Sequence, residues 1–232
     1  MNPGRPRTGR AARIPAVAAQ GLAGEGAALA GRRIGVFGGA FDPPHNAHVA
    51  LARAALVQLD LAQLRIFPTG QAWHKAHGLS AAADRLAMAQ LAFGDLPRTV
   101  VDAREVLRSG PTYTLETLNE LKREQPGAQP VLILGADQAA ALPSWHGWRE
   151  ILSVAIISVA QRPDGVGASG QFDPKDLPGM PAGARFETLE IAPMPLSATL
   201  IRTRRATGQD IGSLVPPAVA RYIDQHSLYL PA

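Results

Sequence analysis

Two histidines three residues apart, His45 and His48, close the segment GGAFDPPHNAH (residues 38–48), which begins with the glycine pair Gly38-Gly39. The segment leaves an apolar run, RIGVF (33–37), and enters the helical pattern HVALARAALVQLD (48–60). Glycines let backbone approach a ligand closely, and the first turn of a helix carries amides with no intrahelical acceptor, so such a junction suits an anion. His45 and His48 share one face of the helix start and both reach toward that anion. The segment contains no Lys or Arg. It lacks the closing Gly-Lys-Ser/Thr of a P-loop and the Gly-x-Gly-x-x-Gly of a dinucleotide fingerprint, so neither reading is licensed. Three roles stand for the histidines: capping or loop residues, phosphate donors, or zinc ligands. Zinc has no third ligand of comparable quality, because His74 and His77 lie on another segment with no carboxylate beside them.

A second candidate lies near the other end of the chain, in PLSATLIRTR (195–204). Ser197 and Thr199 open a helical stretch with Arg202 one turn in. Hydroxyls, helix amides and a guanidinium would converge there on an anion, although the same pattern also describes an ordinary capped helix.

The elements that must position these residues follow from the apolar pattern. Strands are expected at 33–37, 64–67, 98–101, 131–134, 154–160 and 185–191, and helices at 48–60, 81–93, 114–124, around 144–151, 198–206 and 216–226. Strands that are apolar throughout and separated by helices predict a parallel sheet covered on both faces, a doubly wound α/β fold. In open sheets of this kind ligands bind beyond the carboxyl ends of the strands. The segments 38–48, 68–77, 135–148 and 192–202 therefore become site candidates together. The Gly- and Pro-rich stretch 161–184 reads as a surface loop.

Composition narrows the function. With 232 residues and 46% hydrophobic content the chain can bury a large core, and the absence of cysteine excludes disulfides, thiolate metal sites and a catalytic thiol. The longest apolar run, ILSVAIISVA (151–160), is about half the ~20 residues of a membrane span. A cytoplasmic protein with no membrane partner is expected. The net charge of +4 is concentrated in residues 1–33, where six arginines face one glutamate, so the remainder is near neutral and a nucleic-acid partner is not expected. Residues 1–31 read as a basic, disordered extension rather than a signal or transit peptide, and 32–232 as a single domain.

GGAFDPPHNAH resembles the G-x-F-D-P-x-H-x-G-H signature of the nucleotidylyltransferase superfamily, with Ala47 in place of the usual Gly. PLSATLIRTR is similar to its second signature, I-S-S-T-x-I-R, with Leu196 and Ala198 at two positions. Three further segments, PTGQAWHK (68–75), SGPTYTLETL (109–118) and LGADQAAALPSWHGW (134–148), resemble those of the bacterial nicotinate-nucleotide adenylyltransferases, and the likeness runs from about Arg33 to the C-terminus. The resemblance implies a Rossmann-like nucleotidylyltransferase fold, with ATP and nicotinate mononucleotide as substrates. Mg²⁺ would bridge the phosphates, with no metal-ligating side chain. ATP would lie against Gly38, Gly39, Phe41, His45, His48, Ser197, Thr199, Ile201 and Arg202, with His45, His48 and Arg202 catalytic. The mononucleotide would meet Lys75, Thr114, Asp137, Trp145 and His146: Asp137 at a ribose hydroxyl, Trp145 stacked on the pyridine ring, and amides near Thr114 and His146 at the carboxylate. Lys75 and His74 would lie near the phosphates, and Trp148 in the core. A homo-oligomer is compatible with the sequence. The rival substrates are nicotinamide mononucleotide and pantetheine phosphate, and the rival class is a non-catalytic nucleotide-binding protein on the same fold.

Overall fold

The computed structural model describes residues 29–70, 79–161 and 172–231. Six strands, β1 (Arg33–Gly39), β2 (Leu61–Pro68), β3 (Thr99–Val101), β4 (Gln129–Gly135), β5 (Ile156–Gln161) and β6 (Phe186–Glu190), form one sheet in the order β3-β2-β1-β4-β5-β6. Every neighbouring pair is parallel. The strand order reverses between β1 and β4, which makes the carboxyl ends of these two strands the topological switch point of a doubly wound sheet.

Period-two alternation distributes the strands between two cores. Ile34, Val36, Leu132, Leu134, Ile157 and Val159 join one cluster, while Phe37, Val131, Ile133, Ile156 and Ala160 join the other. Helices α1 (Asn46–Gln58) and α2 (Ala82–Phe93) cover the second face, burying Leu51, Ala52, Ala55, Leu56, Ala89 and Phe93 there. On the first face lie α4 (Thr114–Glu124) and α6 (Trp148–Val154), with Leu118, Leu121, Ile151 and Leu152. A third cluster joins Met88 of α2 to Ile201 of α7 (Ala198–Ala206) and to Val219 and Ile223 of α8 (Pro217–Gln225). This cluster seats the helix of the second signature on α2.

All six expected strands are present, and the boundaries shift by no more than a few residues. Two short helices, α3 (Arg104–Leu107) and α5 (Ala136–Ala140), have no sequence precursor, since four or five residues do not establish a 3.6 period. The helix expected around 144–151 begins only at Trp148. Trp145 is extended and Gly147 takes a left-handed φ of +63°, so the chain turns before helix can start. Residues 29–31, which were read as the end of the extension, touch the folded part of the chain. Leu29 rests on the first cluster, and the Gly31 amide donates to the Gly127 carbonyl at 3.0 Å; residues 1–28 lie outside the described residues. Within the Gly- and Pro-rich stretch, Phe172 and Leu177 are buried against the first cluster, and 162–171 are not among the described residues. Among the described residues no helix is long and apolar enough to cross a membrane.

Candidate active site

The end of β1 presents open space to a ligand. Gly38 is exposed, and a Cβ built there would meet no protein atom closer than the Phe67 carbonyl at 4.0 Å. No contact within the protein requires glycine at this position, and a side chain would occupy the volume above the strand end. The backbone then turns through Phe41 at φ +48°. Phe41 was expected against ATP, but its ring is only 2% exposed and packs edge-on against Phe37, Phe93 and His48. The ring therefore sets the pose of His48 and does not line the open space. Ala47, where the superfamily signature has Gly, lies inside α1, and alanine is the better helix former there by about 1 kcal/mol.

His45 is the N-cap of α1, and its amide donates to His48 Nδ1 at 3.2 Å. With Nδ1 accepting, the ring proton of His48 sits on Nε2. The two rings stack at 3.7 Å between centroids. His45 is 5% exposed, and burial lowers its pKa to about 4, so the ring is neutral in the working range. His45 thus contributes no positive charge to an anion site.

Folding stability depends on pH through the same ring. The unfolded imidazole takes a proton below about pH 6.5, whereas the folded ring resists it down to about 4. Between these values the unfolded chain binds more protons, so stability falls as the solution is acidified. From pH 7 to pH 5 this ring is expected to remove about 2 kcal/mol. Urea unfolding of the wild type and of His45→Gln at both pH values checks it; equal losses in the two proteins would refute the assignment.

The second signature arrives from α7. Ser197 caps the helix, its hydroxyl accepting from the Leu200 amide at 3.1 Å. Arg202 reaches across 160 residues of sequence to donate to the Asp42 carbonyl at 2.9 Å, and its other nitrogen donates to Thr199 Oγ1 at 3.3 Å. Ser197 and Thr199 are exposed. Ile201, expected at ATP, has a fully buried side chain in the third cluster, and its amide donates to the Ser197 carbonyl. It turns Arg202 toward β1 and offers no side-chain contact to a ligand, because a residue next to Arg202 on a helix must point elsewhere. The loop after α7 secures the junction, with the Leu214 carbonyl accepting from the Asn46 amide at 3.0 Å and the Ser213 carbonyl from the Asn46 side chain at 2.9 Å.

Sequence reasoning missed Arg85. This α2 residue is 2% exposed, and its guanidinium donates to the carbonyls of Ala40 (3.0 Å), Thr69 (2.6 Å), Gly70 (3.3 Å) and Ser80 (3.1 Å). One buried side chain thereby ties the loop after β1 to the chain after β2. Gly70 is required at that junction, since a Cβ would overlap the Glu105 carbonyl oxygen.

On the other side of the switch point, Asp137 is exposed at the start of α5, its carboxylate lying over Gly135. Thr114 begins α4 and has its amide in the first turn, where no intrahelical acceptor exists. Tyr113 just before it lies 4.5 Å from the His146 ring, which brings the start of α4 beside the segment 145–147. Trp145 is half-buried at the edge of the first cluster, while Trp148 is in the core as expected. Lys75 and His74 lie outside the described residues. Among the described residues there is no group of three or more side chains suited to holding a metal ion.

The comparisons first define the class: residues 36–204 match the cytidylyltransferase-like family. "Probable nicotinate-nucleotide adenylyltransferase" of Albidiferax ferrireducens is 54% identical over 201 residues, 87% of this chain and 100% of that relative. The protein of the same name from Methylibium petroleiphilum is 41% identical, covering 86% of this chain and 93% of its own. The chain belongs to the nicotinate-nucleotide adenylyltransferase family within that class. The fold is shared with Plasmodium falciparum nicotinic acid mononucleotide adenylyltransferase complexed with NaAD, at a TM-score of 0.68 and 18% identity, covering 85% of this chain and 97% of that one.

Proposed function

We propose that this chain transfers the adenylyl group of ATP to nicotinate mononucleotide, giving nicotinate adenine dinucleotide and pyrophosphate. The observation that carries the reading is that Arg202, from the far end of the chain, is bound to the Asp42 carbonyl in the loop between the open space above Gly38 and the helix start that carries His45 and His48. An oxygen of the mononucleotide phosphate attacks the α-phosphorus of ATP, the bond to the β-phosphate oxygen breaks, and pyrophosphate leaves with the electron pair. The attacking phosphate is anionic at neutral pH, so no general base and no covalent intermediate is needed. The barrier is the approach of two polyanions and the charge that develops on the departing group.

This chain's residues would meet that barrier by position and donation. His48 Nε2–H would donate at the α-phosphate, and neutral His45 would support it by fixing the ring. Arg202 and Thr199 would hold the β and γ phosphates. Mg²⁺ would supply charge neutralisation on the phosphates; among the described residues no trio of side chains suits a metal ion, which fits a cation that arrives with the nucleotide. Asp137 would face a ribose hydroxyl and Trp145 the pyridine ring, while the amides near Thr114 and His146 would receive the nicotinate carboxylate, helped by the positive end of α4. Lys75 would serve the mononucleotide phosphate.

Incubation with ATP, Mg²⁺ and either nicotinate mononucleotide or its amide, followed by pyrophosphate release, tests the reading. Release with the acid and little with the amide is expected, and release with neither would overturn it. Arg202→Ala is expected to raise the KM for ATP about 10-fold or more, as loss of a charge-assisted hydrogen bond does. An unchanged KM for ATP would place the triphosphate elsewhere.

A further inference from the structure

Asp42 gathers contacts that the scheme above leaves unused. Its carboxylate is 3% exposed, with one oxygen accepting from the Tyr229 hydroxyl at 2.7 Å and the other from the Ser80 amide at 3.1 Å. Its backbone carbonyl is the acceptor that holds Arg202, at 2.9 Å. One residue therefore joins a tyrosine 187 positions away to the guanidinium of the triphosphate site.

The path by which Tyr229 reaches Asp42 is strained. After α8 the chain takes two left-handed non-glycine residues, Ser227 at φ +51° and Tyr229 at φ +62°. Such conformations persist only where the surroundings over-determine them. Ser227 is accounted for as a helix stop, because the next amide, that of Leu228, returns to the Ile223 carbonyl at 3.0 Å and Leu228 rests on the third cluster. Tyr229 ends no helix. Its ring rests on the third cluster, and its backbone delivers the hydroxyl to Asp42, with Met88 Sδ at 3.9 Å and Ser80 and Arg202 also acting on it.

Charge neutralisation does not explain the contact. Arg85 already lies close enough to attract the Asp42 carboxylate, so the hydroxyl adds direction rather than charge. Burial, and then the bond to Asp42, push the tyrosine hydroxyl far above its ordinary pKa and keep it a donor throughout the working range.

We propose that Tyr229 is a positioning residue for adenylyl transfer: by fixing Asp42 it holds the carbonyl that aims Arg202 at the triphosphate. The kinetic part rests on the proposed function, whereas the contact itself does not. Tyr229→Phe keeps the ring and removes only the hydroxyl. In the full-length chain it is expected to lower kcat/KM for ATP about tenfold, and less than about twofold when Arg202 is already alanine, since two residues acting through one linkage are not additive. Equal losses in the two backgrounds would overturn the positioning role. Amide exchange needs no turnover: Tyr229→Phe should speed exchange at Ser80 and across 40–48 while leaving β4 and β5 unchanged. Unaltered exchange at those residues would overturn the linkage. A wild-type chain that releases no pyrophosphate yet shows the exchange change would sink the proposed function and not the linkage.

Discussion

Replacing His48 by alanine is expected to lower kcat for pyrophosphate release about 10²–10³-fold, the usual cost of removing a donor aimed at developing charge. The fold should survive. His48 lies in the first turn of α1, where alanine is well tolerated, and the flanking contacts of Asn46 with Ser213 and Leu214 do not involve the imidazole. The loss should fall on kcat more than on KM, because Nε2–H is worth more to the charge-separating transition state than to bound ATP. Initial rates at saturating ATP, together with a thermal melt, measure both parts. A variant with wild-type kcat would remove His48 from the chemistry and leave it as a cap partner of His45.

Arg85→Met should cost about 3–5 kcal/mol of stability. Methionine fills the volume of the aliphatic stem but leaves the carbonyls of Ala40, Thr69, Gly70 and Ser80 without their donor. Each unsatisfied buried acceptor costs roughly 1–3 kcal/mol, and local opening to water recovers part of the sum. Arg85→Lys should recover little, since an ammonium on a flexible stem cannot address four carbonyls in the fixed geometry of a guanidinium. Urea unfolding gives the number. A loss below about 1 kcal/mol would mean that these carbonyls are satisfied by solvent and that the loops keep their places unaided.

Much of this architecture was legible in the sequence. The apolar runs at 33–37, 131–134 and 154–160 read as buried parallel strands because both of their faces are covered, and the structure assigns them to two opposed cores. The pairing of GGAFDPPHNAH with PLSATLIRTR was legible as well, and Arg202 does reach the loop that follows β1. Arg85 stood in view in the sequence and drew no reading. It shares a helix face with Met88 and Ala89, both fully buried, so a cation stood on a core stripe and its polarity concealed its burial. Phe41 and Ile201 are the converse case: each stands inside a signature read as binding ATP, and the structure packs its side chain into a core. Tyr229 had no local signal, because its partner depends on two left-handed turns that no periodicity foretells.

The spacing between Asp42 and its partners bears on how the protein comes into being. The glycine pair and both histidines emerge early in synthesis, Arg202 follows Asp42 by 160 residues, and Tyr229 by 187. Contacts this remote form late, after the entropy of closing long loops has been met. A nascent chain can therefore carry a finished β1–β2 unit and still lack a nucleotide site. On the proposed function, nucleotide affinity is accordingly expected to report on complete folding, appearing only after the segment that carries Tyr229 has docked.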